Sequence, residues 1–377
     1  MQQFQQAQCI GRAKSNCARL IQKRHLAGFS LVGSLIVLFI STVVMAAFLQ
    51  TMLGSSTNNK LVSALAQIQN NSRMAIADMK TALTYRGFEG CRQQSAVGIV
   101  GFGQTVAPPP TLLLSTPNVA FPITDLKTQA LRGYTVSENG TYSPSPDPIL
   151  QTAINALTPE PVGGSDVLVV YHNSSAEAPV AQPINSVNGP VRLTANSLGV
   201  QENDYVFVGN CLQGAVFNVA NNPGNSGAVN LTPTEGELPL LGTDTVVRRA
   251  YVDIYYIGDS GRRNPANRPI YALFRARNGQ VQELTDGLVM MKIDFGENMP
   301  GGGFRYQGVG DINATVAEIN VVKVGFLAAS GQLALQQDDM ANYQVLGELV
   351  TPGVHHQLAH PRTYKKVFAF NIAIING

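Results

Sequence analysis

Residues 29–59, FSLVGSLIVLFISTVVMAAFLQTMLGSSTNN, contain no charged side chain. At ~1.5 Å per residue, the apolar part, 29–53, is about 37 Å long as a helix, enough to cross a hydrocarbon core of ~30 Å. Residues 1–28 form a basic tail before it, and everything after it reads as one large polar body. An anchored, exported protein is the expectation. The flanks set its orientation. Arg12, Lys14, Arg19, Lys23 and Arg24 precede the apolar run, and no Asp or Glu occurs before Asp78. Basic flanks stay cytoplasmic, which puts the N-terminus inside and the C-terminal bulk outside.

The leader does not have the order of a secretory signal. There, an apolar stretch of about 7–15 residues is followed by an A-x-A-like site. Here the apolar stretch is roughly twice that length. The small residue, Gly28, lies before the apolar run rather than after it.

The helix is expected to continue beyond the membrane, since no proline occurs before Pro108. Leu61, Leu65, Ile68, Met74, Ile76, Met79 and Leu83 fall at mostly helical spacings, as a face packed on a sheet would. Asn70-Asn71-Ser72 is a weak spot, Gly54-Ser55-Ser56 marks the membrane exit and a point of flexure, and Gly87 and Gly90 read as the stop. From about residue 95 the texture becomes short apolar runs between Gly, Pro, Asn and Ser clusters. VLVVYH (167–172), DYVFVG (204–209), AVFNVA (215–220), YVDIYYIG (251–258), IYALFRARNG (270–279), VMMKIDFG (289–296), EINVVKVGFLAA (318–329) and KVFAFNIAII (366–375) read as strands. Turn spacers between neighbouring runs favour antiparallel pairing. Residues 108–110, 143–148 and the Asn/Gly/Pro-rich stretch 221–247 read as loops, the last as a connection between two halves.

Composition fits a structural body. The 377 residues are 45% hydrophobic and only 13% charged, and Gly 36 with Pro 21 indicates many turns. Without the five basic residues of 1–28, 21 Lys/Arg (26 minus 5) face 24 Asp/Glu, a formal charge of about −3. No globally basic surface for nucleic acid is indicated. Cys9 and Cys17 lie on the reducing side. Cys91 and Cys211 lie in the exported part, where a bridge is the simplest reading and two buried free thiols the alternative. A loop of about 120 residues so closed would gain on the order of 4–5 kcal/mol in the entropic account. Two cysteines alone cannot complete a structural zinc site.

The string Gly28-Phe29-Ser30-Leu31-Val32 resembles the class III prepilin signal of type IV pilins. The resemblance implies cleavage after Gly28 by a prepilin peptidase, N-methylation of the new amine of Phe29, and retention of the apolar helix. It first anchors the subunit in the membrane and then packs in a filament core. The fifth mature position, usually Glu in that family, is Gly33 here. Subunits without that carboxylate resemble those that start or cap a filament. Later segments resemble the PilW-type minor pilins. DMKTALTYRGFEGC (78–91) is similar to the branch's helix end, GSDVLVVYH (164–172) to its first head strand, and GNCLQGAVFNV (209–219) to its second-cysteine segment. The last of these favours pairing Cys91 with Cys211. ELTDGLVMMKIDFG (283–296) is similar to its mid-head strands, and HPRTYKKVFAFNIAIING (360–377) to its terminal strand, although the usual arginine near the end is missing.

Enzymatic motifs are weak. Gly258-Asp259-Ser260-Gly261 matches a serine-protease tetrapeptide, but these are also turn residues and no partner histidine has a supporting pattern. His355, His356 and His360 include an i, i+4 pair without HExxH. Asp311 to Thr315 alternates oxygen ligands but lacks the calcium-loop offsets. There is no Walker A or Rossmann fingerprint.

The expectation is therefore an α+β, pilin-like fold: a leader (1–28), a long N-terminal helix (29–86, of which 29–53 is transmembrane) and a β-rich head (87–377) with the helix packed on an antiparallel sheet. The expected role is structural and non-enzymatic, without cofactors or metal: a minor pilin priming or capping a bacterial type IV pilus. Its partners would be the prepilin peptidase, other minor pilins, the major pilin, the inner-membrane assembly platform and membrane lipid. It would sit in the inner membrane with its head periplasmic, then on the pilus. A type II secretion pseudopilin and a signal-anchored adhesin are the alternatives.

Overall fold

The computed structural model describes residues 31–86, 88–89, 92–93, 112–114, 118–123, 129–210, 214–224, 227–234, 238–299, 302–310, 319–352, 355 and 362–374. The fold is α+β, with one long N-terminal helix and a predominance of antiparallel sheet. Helix α1 (Leu31–Thr84) runs for 54 residues. The chain divides into two units, Met1–Ser56 and Thr57–Gly377, and the division falls just after Gly54-Ser55-Ser56. Helix α1 ends at Thr84, and Arg86 then makes an isolated bridge with His172. Gly87 and Gly90, the expected stop, lie outside the described residues.

Within the second unit, α1 buries Ala64, Ile68, Ser72, Ala75, Met79, Ala82 and Leu83. Their spacing of three and four keeps them on one face. Most are small, which lets the helix backbone approach the sheet closely. The large apolar residues expected to form this face contribute unevenly: Met74 is 55% exposed. Asn70-Asn71-Ser72 does not interrupt the helix. The Ser72 hydroxyl donates to the Ile68 carbonyl at 2.8 Å. The Asn71 side-chain amide donates to the carbonyl of Asp286 at 3.0 Å and to its carboxylate at 2.9 Å. Local propensity is outweighed here because the polar side chains have fixed partners.

The strands, in chain order, are β1 (Phe88–Glu89), β2 (Arg92–Gln93), β3 (Leu112–Leu114), β4 (Leu131–Val136), β5 (Tyr142–Ser143), β6 (Asp166–Asn173), β7 (Ala178–Pro179), β8 (Val191–Leu193), β9 (Tyr205–Gly209) and β10 (Gly214–Asn218). They continue as β11 (Val229–Leu231), β12 (Val246–Arg263), β13 (Pro269–Arg277), β14 (Gln280–Asp286), β15 (Leu288–Asn298), β16 (Phe304–Gly308), β17 (Ile319–Leu333), β18 (Tyr343–Val345), β19 (Glu348–Val350) and β20 (Thr363–Ala373). A 10-stranded sheet runs β3-β10-β9-β12-β6-β4-β5, with β7, β13 and β14 joined through β12. A 4-stranded sheet runs β16-β15-β17-β20. Strand β12, 18 residues long, is the spine: it pairs with β9 through Arg249, with β6 from Ala250 to Tyr255, and with β13 from Asp253 onward. Among the described pairs β3 with β10 is parallel, against the antiparallel expectation.

One expected loop is corrected and a second is trimmed at its ends. Stretch 221–247 contains β11 and places Val229, Leu231, Leu238 and Leu241 in a second apolar core with Val191, Val206, Phe217 and Val247. Its apolar residues are too sparse to read as strand, yet neighbouring strands bury them. Stretch 143–148 is loop from 144 to 147, and only its ends belong to elements, Ser143 to β5 and Pro148 to helix α2 (Pro148–Asn155). The Asp147 carboxylate accepts from the backbone N–H groups of Ile149 and Leu150, both at 3.1 Å, and Pro148 takes the first helical position. The Asp-Pro pair is a helix start, with an N-cap oxygen followed by a residue that lacks an N–H to satisfy.

The main core joins Ile68, Ala75, Met79 and Leu83 of α1 to side chains of both large sheets, among them Tyr171, Tyr255, Phe295 and Phe326. Ala75 is fully buried there. Replacing it by Leu is expected to lower stability by about 1–3 kcal/mol through overpacking, whereas Met74→Leu stays within ~0.5 kcal/mol. Urea unfolding of the detergent-solubilised chain checks this; equal effects at the two positions would reject the small-residue contact.

Candidate functional site

The first candidate surface is the apolar half of α1. Its most apolar window has a mean hydropathy of 2.5 and none of it is buried by the rest of the protein. Leu31, Phe39, Phe48 and Leu53 are between 62% and 75% exposed. Three hydroxyls in this stretch bond inside the helix: Ser34 donates to Leu31 O at 2.9 Å, Thr42 to Phe39 O at 2.8 Å and Thr51 to Ala47 O at 3.0 Å. Such satisfaction is what a hydrocarbon environment demands of polar groups. This is one helix long and apolar enough to cross a membrane. Gly33 lies in its first described turn. Gly28 and Phe29, the expected cleavage and methylation positions, lie outside the described residues, as do Cys91 and Cys211.

The second candidate is a polar cluster in the Thr57–Gly377 unit. Tyr255 is paired directly with Arg275, and Asp253 with Arg277, across β12 and β13. Arg277 donates to both oxygens of Asp253, from Nε at 2.7 Å and from a terminal nitrogen at 2.6 Å. His172 Nε2, from β6, lies 2.9 Å from the same carboxylate. Asp253 is fully buried. Burial works against its ionisation, but the hydrogen bonds and charges of Arg277 and His172 outweigh it and hold the carboxyl down at about 2. Arg275 Nη1 donates to both oxygens of Asp78 on α1, at 2.7 and 3.1 Å, and the Tyr255 hydroxyl donates to Asp78 at 3.2 Å. The guanidinium of Arg277 sits 4.6 Å from the centre of the Tyr251 ring. Arg86 is buried just beyond the helix end, with its guanidinium donating to the Ile319 carbonyl. Burial lowers its pKa to about 10.

This cluster pins α1 residues 57–84 to the sheets and was missed in the sequence. The signal was present as Asp253-x-Tyr255 against Arg275-x-Arg277. The i, i+2 spacing puts each pair on one strand face, where opposite charges meet directly. The protease-like tetrapeptide lies within strand β12, where its pairing with β13 is interrupted by a bulge between Asp259 and Arg263. Ser260 donates to the Ile270 carbonyl at 2.6 Å, and Asp259 pairs with Arg263 at 3.0 Å. His355 accepts from the Thr351 N–H at 3.3 Å. His356, His360 and 311–315 lie outside the described residues. Among the described residues no group of three or more His, Cys, Asp or Glu side chains is placed to hold a metal.

No protein-family model matches the chain, and no curated protein matches it.

The Asp253 carboxyl gives a pH signature. Its folded pKa is depressed from 3.8 to about 2, so its contribution is complete above about pH 4 and is lost as pH falls through 2. The shift corresponds to on the order of 2 kcal/mol. Asp253→Asn is expected to be less stable than the wild type at pH 7, with the gap closing by about that amount between pH 4 and 2. Urea titrations of the full chain in detergent at each pH measure it. A gap independent of pH would reject the assigned role.

Proposed function

We propose that this chain is a minor pilin that primes or caps a bacterial type IV pilus, without enzymatic activity. The observation that carries the reading is the uncharged, unburied helix segment 31–53, which directly follows a basic leader ending in Gly28. A helix of this kind can sit in lipid and later exchange its lipid contacts for other apolar helices. Because lipid tails are as apolar as leucine, that exchange turns on close packing rather than on the hydrophobic effect. Head contacts with other minor pilins then supply selectivity. The antiparallel head, with helix residues 57–84 in its core, supports a pilin-like architecture.

In this reading a prepilin peptidase cuts after Gly28 on the cytoplasmic face and methylates Phe29. The chain is held in the inner membrane with its head periplasmic until the assembly platform extracts it. Cys91 and Cys211 form a bridge between the helix end and the head. Gly33 places the subunit at the tip. New subunits enter a growing filament from the membrane side, so the first has no neighbour above it. A carboxylate there would be unpaired in an apolar setting, at several kcal/mol. Glycine avoids that cost and lets another helix approach closely.

Two measurements test this. Intact-mass analysis of filament-associated protein is expected to give N-methyl-Phe29 as the first residue, and Gly28→Leu is expected to leave the chain uncut in the inner membrane. Assembled material beginning at Met1 would defeat the reading. Immunogold labelling is expected at filament ends; even labelling along shafts would reject the tip placement while leaving the processing intact.

A further inference from the structure

Lys292 on β15 and Asp166 on β6 form a buried pair that the pilin reading does not use. Lys292 is 5% exposed and Asp166 3%. The Lys292 Nζ lies 3.6 Å from Asp166 Oδ1 and 2.6 Å from Glu348 Oε2 on β19. The Asp166 carboxyl is held from two sides. Its Oδ1 accepts from the Thr135 hydroxyl at 2.8 Å, and its Oδ2 accepts from the Ile293 backbone N–H at 2.9 Å. Donors so placed polarise the carboxyl and stabilise negative charge building on its oxygens.

The fold builds this arrangement with some care for space. Lys292 is paired directly with Gly325 on β17. A Cβ on Gly325 would lie 2.7 Å from Leu346 Cγ and 2.9 Å from Val345 Cγ1, so the β18–β19 hairpin is seated on the bare backbone. That close seating brings Glu348 to the amine. Burial raises the Asp166 carboxyl to about 6, over the opposing pull of Lys292, Thr135 and Ile293, and Glu348 adds to the rise. The neutral acid is therefore accessible near neutral pH.

We propose that Lys292 and Asp166 condense, with Glu348 carrying the proton, into an intramolecular amide that ties β15 to β6. Glu348 takes a proton from the Lys292 ammonium. The freed nitrogen lone pair attacks Cγ of Asp166, forming the C–N bond, and the C–OH bond breaks. Of the three ammonium protons, one stays on the amide, one leaves with the Asp166 hydroxyl as water, and one passes through Glu348 to solvent. Glu348, half exposed, is placed for that release. No oxidant or cofactor is required. Fixed neighbours of this kind can reach effective molarities on the order of 10⁵ M or more, which is what an otherwise sluggish amine and carboxylic acid need. The product replaces two buried ions, costly to keep desolvated, with one neutral group. The bond joins the 10-stranded sheet to the 4-stranded sheet, so unfolding forces between them would meet a covalent link.

The test is peptide mapping and intact mass of the full chain purified in detergent. The expected result is a mass one water lighter than the same processed sequence, and a branched tryptic peptide in which the Lys292 side chain is joined to the peptide containing Asp166. Lys292→Arg keeps the charge and is expected to have the full mass. Glu348→Gln, checked for folding by circular dichroism, is expected to form linked peptide about a hundredfold more slowly, as loss of a general base commonly does. Recovery of linear peptides with a free Lys292 amine from folded wild-type protein would overturn the proposal without reference to any variant. A missing water that persists in Lys292→Arg would overturn it as well. Unchanged linkage in Glu348→Gln would overturn the role given to Glu348. None of these readouts depends on filament assembly.

Discussion

The buried carboxylate of Asp253 is the point on which the rest of the structure depends. A charge with no solvent contact persists only if its partners are fixed, because an unpaired buried ion costs far more than a surface pair returns. Arg277 from β13 and His172 from β6 meet it from two different strands. That requirement locks β12 between them in one register. A slip by one residue would move Asp253 to the opposite face and leave Arg277 and His172 without their carboxylate. Tyr255 and Arg275 extend the same cluster to Asp78, so the register of the sheet also sets where α1 residues 57–84 lie.

Around this point the fold relies on small residues where it needs contact and on long strands where it needs span. Ala64, Ser72, Ala75 and Ala82 bring the helix backbone onto the sheets. Gly325 lets the β18–β19 hairpin close over β17 in the same way. Strand β12 changes partners along its length, so one continuous segment helps to build both the main core and the second core around Val191, Phe217 and Leu231. The geometry that seats Glu348 beside Lys292 follows from these choices.

The apolar half of α1 obeys a different constraint. Its side chains are not buried within the protein, and Ser34, Thr42 and Thr51 bond to their own helix. A segment of that composition requires an environment of lipid or of other helices. This is the physical basis of the proposal that the chain exchanges the first for the second.

The sequence by itself determined the apolar helix and the eight long strand runs. Their signals are local: absence of charge over a membrane thickness, and β-branched or aromatic runs between turn residues. It missed β4, β16 and other short strands as well as β11 and α2, the last two because their apolar residues are sparse or because the Asp147-Pro148 start reads as loop. It placed Ile68, Met79 and Leu83 on the buried face but took Met74 for Ala75, because hydrophobicity ranks Met74 above Ala75 while close packing ranks them in the opposite order. Only the tertiary structure decided that Asp253, His172, Arg277, Arg275 and Asp78 form one cluster, and that Lys292 faces Asp166 and Glu348. These groups come from distant parts of the chain. A charge in a sequence carries no mark of burial until strand pairing supplies its partner.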